Sequence, residues 1–240
     1  MAWLEGDVRT SIISRLLAPR IMLHQLTHTT SAADVFLSEL RDGSMQSDRA
    51  KFRRNLERLG FVFGMAISQH LEYDETTIQT PLGPSVVKRM KDAPVLATIL
   101  RAGLPLHHGI AQVFDQADHA YISACRKYDD DQHENFRIGI DAVSSPSLEG
   151  RTLILSDPML ATGESMIQVL EAMQEQFGMP SALHVVAAIA SKSGAERVLE
   201  RLPKEAHLWV GDVDPDLTNQ GYIFPGLGDA GDLAFGPKVN

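Results

Sequence analysis

A loop between an apolar run and a helical pattern is the part of this sequence best suited to chemistry. Its nine residues, Asp-Pro-Met-Leu-Ala-Thr-Gly-Glu-Ser, occupy positions 157–165. The backbone N–H groups of such a loop, together with the positive end of the helix dipole, can hold a phosphate group. Thr162 and Ser165 add hydroxyl donors, and Gly163 permits a close approach to the backbone. The loop therefore suits a phosphorylated ligand, although small polar residues also begin ordinary helices.

Two other segments, around Arg101 and at residues 221–232, have features that suit ligand binding. Arg101 and Asp157 each follow a short apolar run that predicts a buried strand. The carboxyl ends of such strands would bring both charges to one edge of a sheet, where a guanidinium can bind a diphosphate through two parallel hydrogen bonds. Glycines and a proline crowd residues 221–232. A segment of this flexibility is costly to order unless its backbone binds a ligand.

These segments resemble the motifs of type I phosphoribosyltransferases, and in particular those of uracil phosphoribosyltransferases. Residues 157–165 match the loop that binds phosphoribosyl diphosphate (PRPP), residues 99–104 match a shorter motif, and residues 221–236 match the C-terminal segment of the family. The motifs stand in the family's order, and the resemblance extends from about Ser31 to Lys238. It implies an enzyme of pyrimidine salvage that transfers the phosphoribosyl group of PRPP to uracil, giving UMP and diphosphate.

The resemblance also implies roles for individual residues. Asp157, Arg101 and Asp229 would be the catalytic residues, and Arg126 corresponds to a second arginine that contacts PRPP. The residues implied in binding PRPP are Arg101, Arg126, Asp157, Pro158, Met159, Leu160, Ala161, Thr162, Gly163, Glu164, Ser165 and Asp229. The residues implied in binding uracil are Tyr222, Ile223, Gly228, Asp229 and Ala230. Backbone groups there would match the alternating carbonyl, N–H and carbonyl groups along one edge of uracil.

Mg²⁺ is the cofactor that the resemblance implies. It would be held mainly by PRPP oxygens and water, because Mg²⁺ loses its water ligands reluctantly. No residue is therefore expected to act as a dedicated metal ligand. The resemblance further implies a homodimer or a higher homo-oligomer, with a hairpin at residues 77–87 as a subunit arm.

Three residues depart from the family pattern and leave other functions open. Glu164 replaces a usual glycine, Phe224 replaces a usual aliphatic residue, and Cys125 stands where a tyrosine usually precedes the second arginine. The alternatives are a phosphoribosyltransferase for another base and a non-catalytic regulator that binds PRPP or UMP. The retained arginines and acids favour an enzyme, because a regulator has no need to stabilise a leaving diphosphate. We expect the side chain of Glu164 to point away from the phosphate.

Composition and charge exclude several other classes of protein. The chain has 240 residues, 44% of them hydrophobic, which suffices for the core of one domain. A formal net charge of −9 argues against nucleic acid or a membrane surface as a partner. The single cysteine excludes an intrachain disulfide, and no apolar run approaches the roughly 20 residues of a membrane span. Because the start of the chain lacks the basic residues of a secretory signal, we expect a cytoplasmic protein.

The elements that must position these residues follow from the hydrophobic pattern. From Pro94 onward, apolar runs alternate with helical patterns, which predicts an α/β fold. Its sheet would be mostly parallel and flanked by helices, as in the type I phosphoribosyltransferase fold. The predicted strands are Val95–Leu100, Ala120–Cys125, Thr152–Ser156, Leu183–Ile189 and His207–Gly211. The predicted helices are Leu104–Phe114, Ser165–Gln176 and Ser193–Arg201, and two earlier ones begin after Ser31 and Ser47.

The remaining segments complete a single domain over residues 1–240. We expect a helical extension at residues 1–30 and a hairpin arm, closed by a Pro/Gly turn, at residues 77–87. Residues 127–150 show no clear pattern of either element, and by the resemblance they correspond to the mobile loop that covers PRPP during the reaction. Residues 212–238 would form the base-binding segment.

Overall fold

The structure is a computed structural model that describes residues 22–128, 136–203 and 205–238. For residues 125–128 and 136–138 it describes the backbone only. Most of the expected N-terminal helix, at residues 1–21, lies outside the described residues.

A mostly parallel sheet forms the centre of the described part of the chain. The strands are β1 (Met22–Gln25), β2 (Tyr73–Thr80), β3 (Gly83–Met90), β4 (Val95–Leu100), β5 (Asp118–Tyr128), β6 (Phe136–Ser144), β7 (Thr152–Ser156), β8 (Met159–Leu160), β9 (Ala182–Ser191), β10 (His207–Asp214), β11 (Asp216–Leu217) and β12 (Ile223–Phe224). The sheet has the order β1-β10-β9-β7-β4-β5-β6, and β8 also pairs with β9. All of these pairs are parallel except β5 with β6. The predicted α/β fold is confirmed.

Helices cover both faces of this sheet. They are α1 (Ala32–Arg41), α2 (Arg49–Ser68), α3 (Leu104–Ala111), α4 (Glu164–Phe177), α5 (Lys192–Arg201) and α6 (Ala230–Phe235), with a 3-10 turn at Leu26–His28. A capping box starts α1, in which Ser31 Oγ accepts a hydrogen bond from Ala33 N and Asp34 accepts one from Ser31 N. Asp48 caps α2, so both starts agree with the sequence pattern. None of the described helices is both long enough and apolar enough to cross a membrane.

Alternate residues of the strands enter two separate hydrophobic cores. In β7, Leu153 and Leu155 pack on the face that α4 and α5 cover, whereas Ile154 packs on the face that α1, α2 and α3 cover. Because both faces are covered, the central strands are apolar throughout and do not alternate with polar residues. The carboxyl ends of β4 and β7 are therefore held from both sides.

A separate hairpin includes the predicted hairpin region. Strands β2 and β3 pair with each other in antiparallel register, and with no other strand in the described part of the chain. The hairpin spans residues 73–90 and so extends beyond the predicted bounds of 77–87 at both ends. Its turn residue Leu82 is fully exposed, at 100%, and Tyr73 and Val86 are also exposed. Isolated two-stranded hairpins are only marginally stable, so these apolar side chains suit a contact with another chain.

The expectation of a stretch without regular structure at residues 127–150 is wrong in part. Strand β5 continues through Tyr128, and β6 returns beside it over residues 136–144. Apolar residues at positions 136, 138 and 140 give the alternation of a strand, and pairing with β5 stabilises it. Residues 129–135 between these strands lie outside the described residues, so a mobile cover at that point stays a prediction.

The expected helical extension is also wrong where the structure first describes it. Met22–Gln25 forms β1, an edge strand parallel to β10, because pairing with a long buried strand outweighs a weak local helical pattern. In this strand the ring of His24 stacks on Trp209 with a centroid distance of 3.9 Å.

Histidines from three strands gather around Trp209. His184 Nδ1 accepts a hydrogen bond from Trp209 Nε1 at 3.1 Å, and His24 Nε2 lies 2.9 Å from His207 Nδ1. Burial, followed by the nearby His207, His70 and His24, lowers the pKa of His184 to about 3. Burial, with His207 and His70, likewise lowers the pKa of His24 to about 4. These two rings are therefore neutral in the folded protein near neutral pH.

We expect the stability of the fold to decrease as the pH falls below about 6.5, the ordinary pKa of histidine. In the unfolded chain His184 takes up a proton near that pH, whereas in the folded protein its pKa of about 3 prevents protonation. The contribution of neutral His184 to the free energy of unfolding is thus complete above pH ~6.5. It is lost as the pH falls toward the pKa of His184 in the folded protein. The measurement is the thermal midpoint at about pH 7.5 and about pH 5 for the wild type and for His184→Gln, whose amide oxygen can still accept from Trp209.

When the pH is lowered, the thermal midpoint of the variant should fall by less than that of the wild type. His28→Gln is the matched control, because His28 is exposed. Equal pH dependence in the wild type and in His184→Gln would show that this buried ring does not contribute.

Candidate active site

A cavity of about 420 Å³ opens at the carboxyl ends of β4 and β7, a size typical of small-molecule sites. Its walls come from the end of β4, from the loop between β7 and α4, and from the C-terminal segment. The predicted site residues that line it are Arg101, Asp157, Met159, Leu160, Ala161, Thr162, Gly163, Ser165, Tyr222, Asp229 and Ala230. The structure thus brings three distant parts of the sequence to one place.

Five of the predicted site residues are not placed on the cavity wall. Pro158, Glu164, Ile223 and Gly228 are absent from the lining, and the side chain of Ile223 is buried in the core beside α1, α2 and α3. The side chain of Arg126, at the end of β5, lies outside the described residues. For Ile223 and Gly228 the sequence implied contacts through the backbone, and those contacts stay predictions.

Pairing between β4 and β7 sets the distance between the two charged ends. Thr98 Oγ1 donates to the Ser156 carbonyl at 3.1 Å, and Ser156 Oγ donates to the Ala97 carbonyl at 3.1 Å. Both side chains are fully buried. They join the strands three residues before Arg101 and one residue before Asp157, so these two residues are positioned by the interior of the sheet.

The guanidinium of Arg101 is held against the C-terminal segment. Its Nη2 donates to the Gly236 carbonyl at 3.1 Å and lies 3.4 Å from the Asp232 carboxylate. Its Nε is buried and has no hydrogen-bond partner among the described residues. Buried donors in proteins are nearly always paired, and this one belongs to a side chain on the cavity wall. The arrangement therefore suits a ligand with oxygen acceptors, such as a diphosphate.

The first half of the loop at residues 157–165 is more regular than the sequence suggests. Met159 and Leu160 form β8, which pairs with Ile189 and Ala190 of β9. The backbone N–H of Asp157 also donates to Val186 in β9. The loop thus extends the sheet beyond β7 before it turns toward α4, and Asp157 is held at the start of that extension.

The second half of the loop rests on the start of α5. Ser191 Oγ donates to the Ala161 carbonyl at 2.6 Å and accepts from Gly194 N at 2.9 Å. A Cβ atom at Gly194 would overlap the Ala161 carbonyl, so only glycine allows this approach. Gly163 has a positive φ of 79° and directly precedes the first residue of α4. Gly163, Ser165 and Met166 line the cavity, so the first turn of α4 borders it, and a helix N-terminus is a favourable place for a phosphate.

The side chain of Glu164 points away from the cavity, in agreement with the expectation from the sequence. Its Oε1 accepts a hydrogen bond from Gln168 Nε2 at 2.6 Å, and its Oε2 lies 3.5 Å from Arg197 Nη1. Both partners lie on helices, α4 and α5 respectively. Both carboxylate oxygens are engaged by helix side chains, and Glu164 does not line the cavity, so its charge is directed away from the cavity wall.

The C-terminal wall of the cavity combines a short hairpin with a short helix. Strands β11 and β12 pair in antiparallel register, and Tyr222 precedes β12 with its side chain partly exposed. Asp229 caps α6, because its Oδ1 accepts a hydrogen bond from Asp232 N at 2.9 Å. One oxygen of this predicted catalytic residue therefore has a structural role, and the segment at residues 212–238 is not an irregular coil.

Some residues that build this site were not found from the sequence. Ser191 and Gly194 support the loop, and Asp232 contacts Arg101. Asp212 and Asp214 at the end of β10 anchor the C-terminal segment through Arg41. The signal for the last two is visible in the sequence, because they are acids that end a buried strand on the same sheet edge as Asp157.

Comparison with known proteins agrees with this geometry. The family model for uracil phosphoribosyltransferases matches residues 27–237. A Porphyromonas gingivalis protein described as uracil phosphoribosyltransferase is 44% identical over 204 residues, which cover 85% of this chain and 93% of that protein. A Methanothermobacter thermautotrophicus protein of the same description is 40% identical over 191 residues, covering 79% of this chain and 85% of that protein.

Among solved structures, the AQ2163 protein from Aquifex aeolicus is similar over almost the whole chain. The two structures superpose with a TM-score of 0.79 at 28% sequence identity. The match covers 91% of this chain and 100% of the Aquifex chain. The arrangement of helices around the parallel sheet is therefore shared with an experimentally determined structure.

We expect Gly194→Ala to raise the KM for PRPP, the ligand implied for the loop, by about tenfold or more. The new methyl group would push the Ala161 carbonyl and displace the loop, and small displacements of a binding group can cost large factors in rate. The measurement is PRPP saturation of the reaction together with the thermal midpoint. Gly43→Ala is the matched control, because no atom lies within 4 Å of a Cβ atom there. A KM within about twofold of the wild type would contradict the supporting role of Gly194.

Proposed function

The chain belongs to the uracil phosphoribosyltransferase family, and we propose that it transfers the phosphoribosyl group of PRPP to uracil, giving UMP and diphosphate. This is a reaction of pyrimidine salvage. The observation that supports it best is the convergence of Arg101, Asp157 and the loop at residues 161–165 on one cavity. The cavity thus offers a cation for a diphosphate, a carboxylate for a ribose and a helix N-terminus for a phosphate.

In this proposal PRPP lies along the loop between β7 and α4. Its 5′-phosphate binds the backbone N–H groups of residues 161–165 and the hydroxyls of Thr162 and Ser165. The ribose hydroxyls bind Asp157, and the diphosphate binds Arg101, whose buried Nε needs an acceptor. Arg126 supplies a second guanidinium to the diphosphate.

The reaction breaks the bond between ribose C1 and the diphosphate oxygen and forms a bond from C1 to N1 of uracil, whose proton passes to the leaving diphosphate. In the transition state positive charge develops on the ribose and negative charge on the leaving diphosphate. The carboxylates of Asp157 and Asp229 stabilise the first, and Arg101 stabilises the second. Catalysis is therefore chiefly positioning and electrostatic stabilisation.

Uracil binds to the C-terminal segment, where Tyr222, Ile223, Gly228, Asp229 and Ala230 surround it. Backbone N–H and carbonyl groups recognise its edge, because they are fixed in direction and do not titrate. Tyr222 and Ala230 line the cavity and so can contact the ring. A backbone donor that faces the carbonyl of uracil would face the amino group of cytosine, and would reject it.

Mg²⁺ is the cofactor that this site suits. The cavity wall offers oxygen donors, the ligands that Mg²⁺ prefers, from Asp157, Asp229 and Asp232. In the described part of the chain no three His, Cys, Asp or Glu side chains are grouped so that they could hold a metal ion. PRPP oxygens and water would supply most of its ligands, because Mg²⁺ loses its water ligands reluctantly. When bound, Mg²⁺ supplies charge neutralisation of the diphosphate.

The protein would act in the cytoplasm as a homodimer or a higher homo-oligomer. The hairpin of β2 and β3 supports the assembly, since Tyr73, Leu82 and Val86 expose apolar surface on a pair of strands without sheet neighbours in the described residues. A single cysteine and an acidic composition are compatible with the reducing cytoplasm.

A panel of bases tests the proposed reaction directly. The protein is incubated with PRPP and Mg²⁺ plus uracil, 5-fluorouracil, cytosine or a purine, and the nucleotide products are measured. Uracil and 5-fluorouracil should be converted and cytosine rejected, by a factor that hydrogen-bond mismatch can bring to ~10⁴. Comparable rates on cytosine, or exclusive use of a purine, would overturn the assignment of uracil.

Asp157→Asn should lower kcat by at least about a hundredfold, because an amide gives only a dipole where a carboxylate stabilises positive charge. The fold should be retained, since the side chains have the same shape. Asp115→Asn is the control for removing an acid, because Asp115 is exposed and does not line the cavity. A kcat within about threefold of the wild type would show that Asp157 does not face the reacting ribose.

Glu164→Gly should leave the KM for PRPP almost unchanged and slightly lower the thermal midpoint. The carboxylate already binds Gln168 and Arg197 on the outer side, and glycine costs helix stability at that position. Saturation curves with PRPP at low and moderate salt provide the measurement. Glu164→Gln is the companion variant, because it removes the charge and retains the amide contact.

A gain of about tenfold in PRPP affinity at low salt, in both Glu164 variants, would contradict the outward orientation. Such a gain would mean that the carboxylate repels the 5′-phosphate, since only a nearby like charge gives that salt dependence.

A further inference from the structure

The guanidinium of Arg41 clamps two acids at the carboxyl end of β10. Its Nη1 and Nη2 donate to the two oxygens of Asp214 at 2.8 and 2.9 Å, which is a bidentate pair. Nη2 also donates to Asp212 at 3.0 Å. Asp214 is only 4% exposed, so this pair is held inside the protein. Gln25 and Thr27 donate to the other oxygen of Asp212 and complete the cluster.

The side chains of Arg41 and Asp214 also fix the backbone of Gly226. Gly226 N donates to Asp214 Oδ2 at 3.0 Å, and Arg41 Nη1 donates to the Gly226 carbonyl at 3.1 Å. Gly226 has a φ of 63°, and a Cβ atom there would overlap the Ile223 carbonyl. Both backbone groups of Gly226 are therefore bound to side chains outside the turn, Asp214 at the end of β10 and Arg41 at the end of α1.

Two further side chains from the same layer of helices hold the C-terminal segment. Gln46, in the connection between α1 and α2, donates from Nε2 to the Leu40 and Leu227 carbonyls, both at 2.7 Å. Arg53 in α2 donates from Nη1 to the Ala234 carbonyl at 2.6 Å. None of these three donors, Arg41, Gln46 or Arg53, lines the cavity.

We propose that Arg41 is a positioning residue for the nucleobase, with Gln46 as a second anchor of the same segment. Gly226 and Leu227 lie between Tyr222–Ile223 and Gly228–Ala230, the two stretches assigned to the base, and the inference rests on that proposed function. Backbone groups recognise a planar base only if their directions are fixed, and a glycine-rich segment cannot fix them alone. The helices α1 and α2 supply the missing constraint through these side chains.

The inference predicts an effect on one substrate and not on the other. The PRPP loop rests on β9 and α5, through Ser191 and Gly194, and has none of the contacts made by Arg41. Among the described residues, Arg101 meets the C-terminal segment only at Asp232 and Gly236, beyond the turn that Arg41 holds at Gly226. Loss of the contacts made by Arg41 should therefore loosen the base subsite and leave the 5′-phosphate subsite intact. A purely structural role would lower stability without separating the two substrates.

Arg41→Met tests this separation in the full-length protein. We expect the KM for uracil to rise at least about tenfold, and the KM for PRPP to change by less than about threefold. Arg41→Lys should give an intermediate KM for uracil, because a lysine cannot reproduce the bidentate contact. Arg58→Met is the matched control, because Arg58 packs over Phe36 and contacts Asn55 but not the C-terminal segment.

Gln46→Met keeps the test decisive if Arg41→Met fails to fold, since it breaks the Leu227 contact without leaving a buried carboxylate unpaired. It should raise the KM for uracil selectively as well. Equal changes in both KM values, or a lower thermal midpoint with unchanged KM values, would overturn the positioning role. Failure of the proposed function is distinct, because the wild type itself would then make no UMP from uracil, and the inference would fall with it.

Discussion

The lateral pairing of β4 with β7 is the constraint on which the site depends. Parallel strands end at the same edge, so the residues that follow them are brought together whatever their separation in sequence. Arg101 and Asp157 are 56 positions apart in the sequence. The buried hydroxyls of Thr98 and Ser156 nevertheless join their strands, three residues before Arg101 and one residue before Asp157. The positions of the Arg101 and Asp157 charges are therefore set by buried contacts and not by exposed residues.

Much of this edge could be predicted from the sequence. The uninterrupted apolar runs of β4 and β7 mark strands covered on both faces, and the acid and the arginine that follow them are local signals. The capping box at Ser31 is local too, and it gives the start of α1 to the residue. Signals of this kind depend only on residues that are close in sequence, so they can be recognised without knowledge of the fold.

Contacts between distant residues account for what the sequence did not reveal. The hydrogen bonds from Arg41 to Asp214 and Gly226 join residues more than 170 positions apart, and no residue pattern near Arg41 predicts them. Strand β1 exists because β10 pairs with it, against a weak helical pattern at the start of the chain. The loop at residues 157–165 was recognised by its composition, but its support by Ser191 and Gly194 appears only when α5 is seen beneath it.

The contacts of α1 and α2 with the C-terminal segment have a consequence for biosynthesis. A ribosome makes the chain from the N-terminus, so Arg41, Gln46 and Arg53 emerge long before the carbonyls that they bind at Gly226, Leu227 and Ala234. The sheet can acquire its central strands while those donors still face water. The C-terminal wall of the cavity closes only when the last strands and α6 have left the ribosome, so a nascent chain forms the loop at residues 157–165 before its cavity is complete.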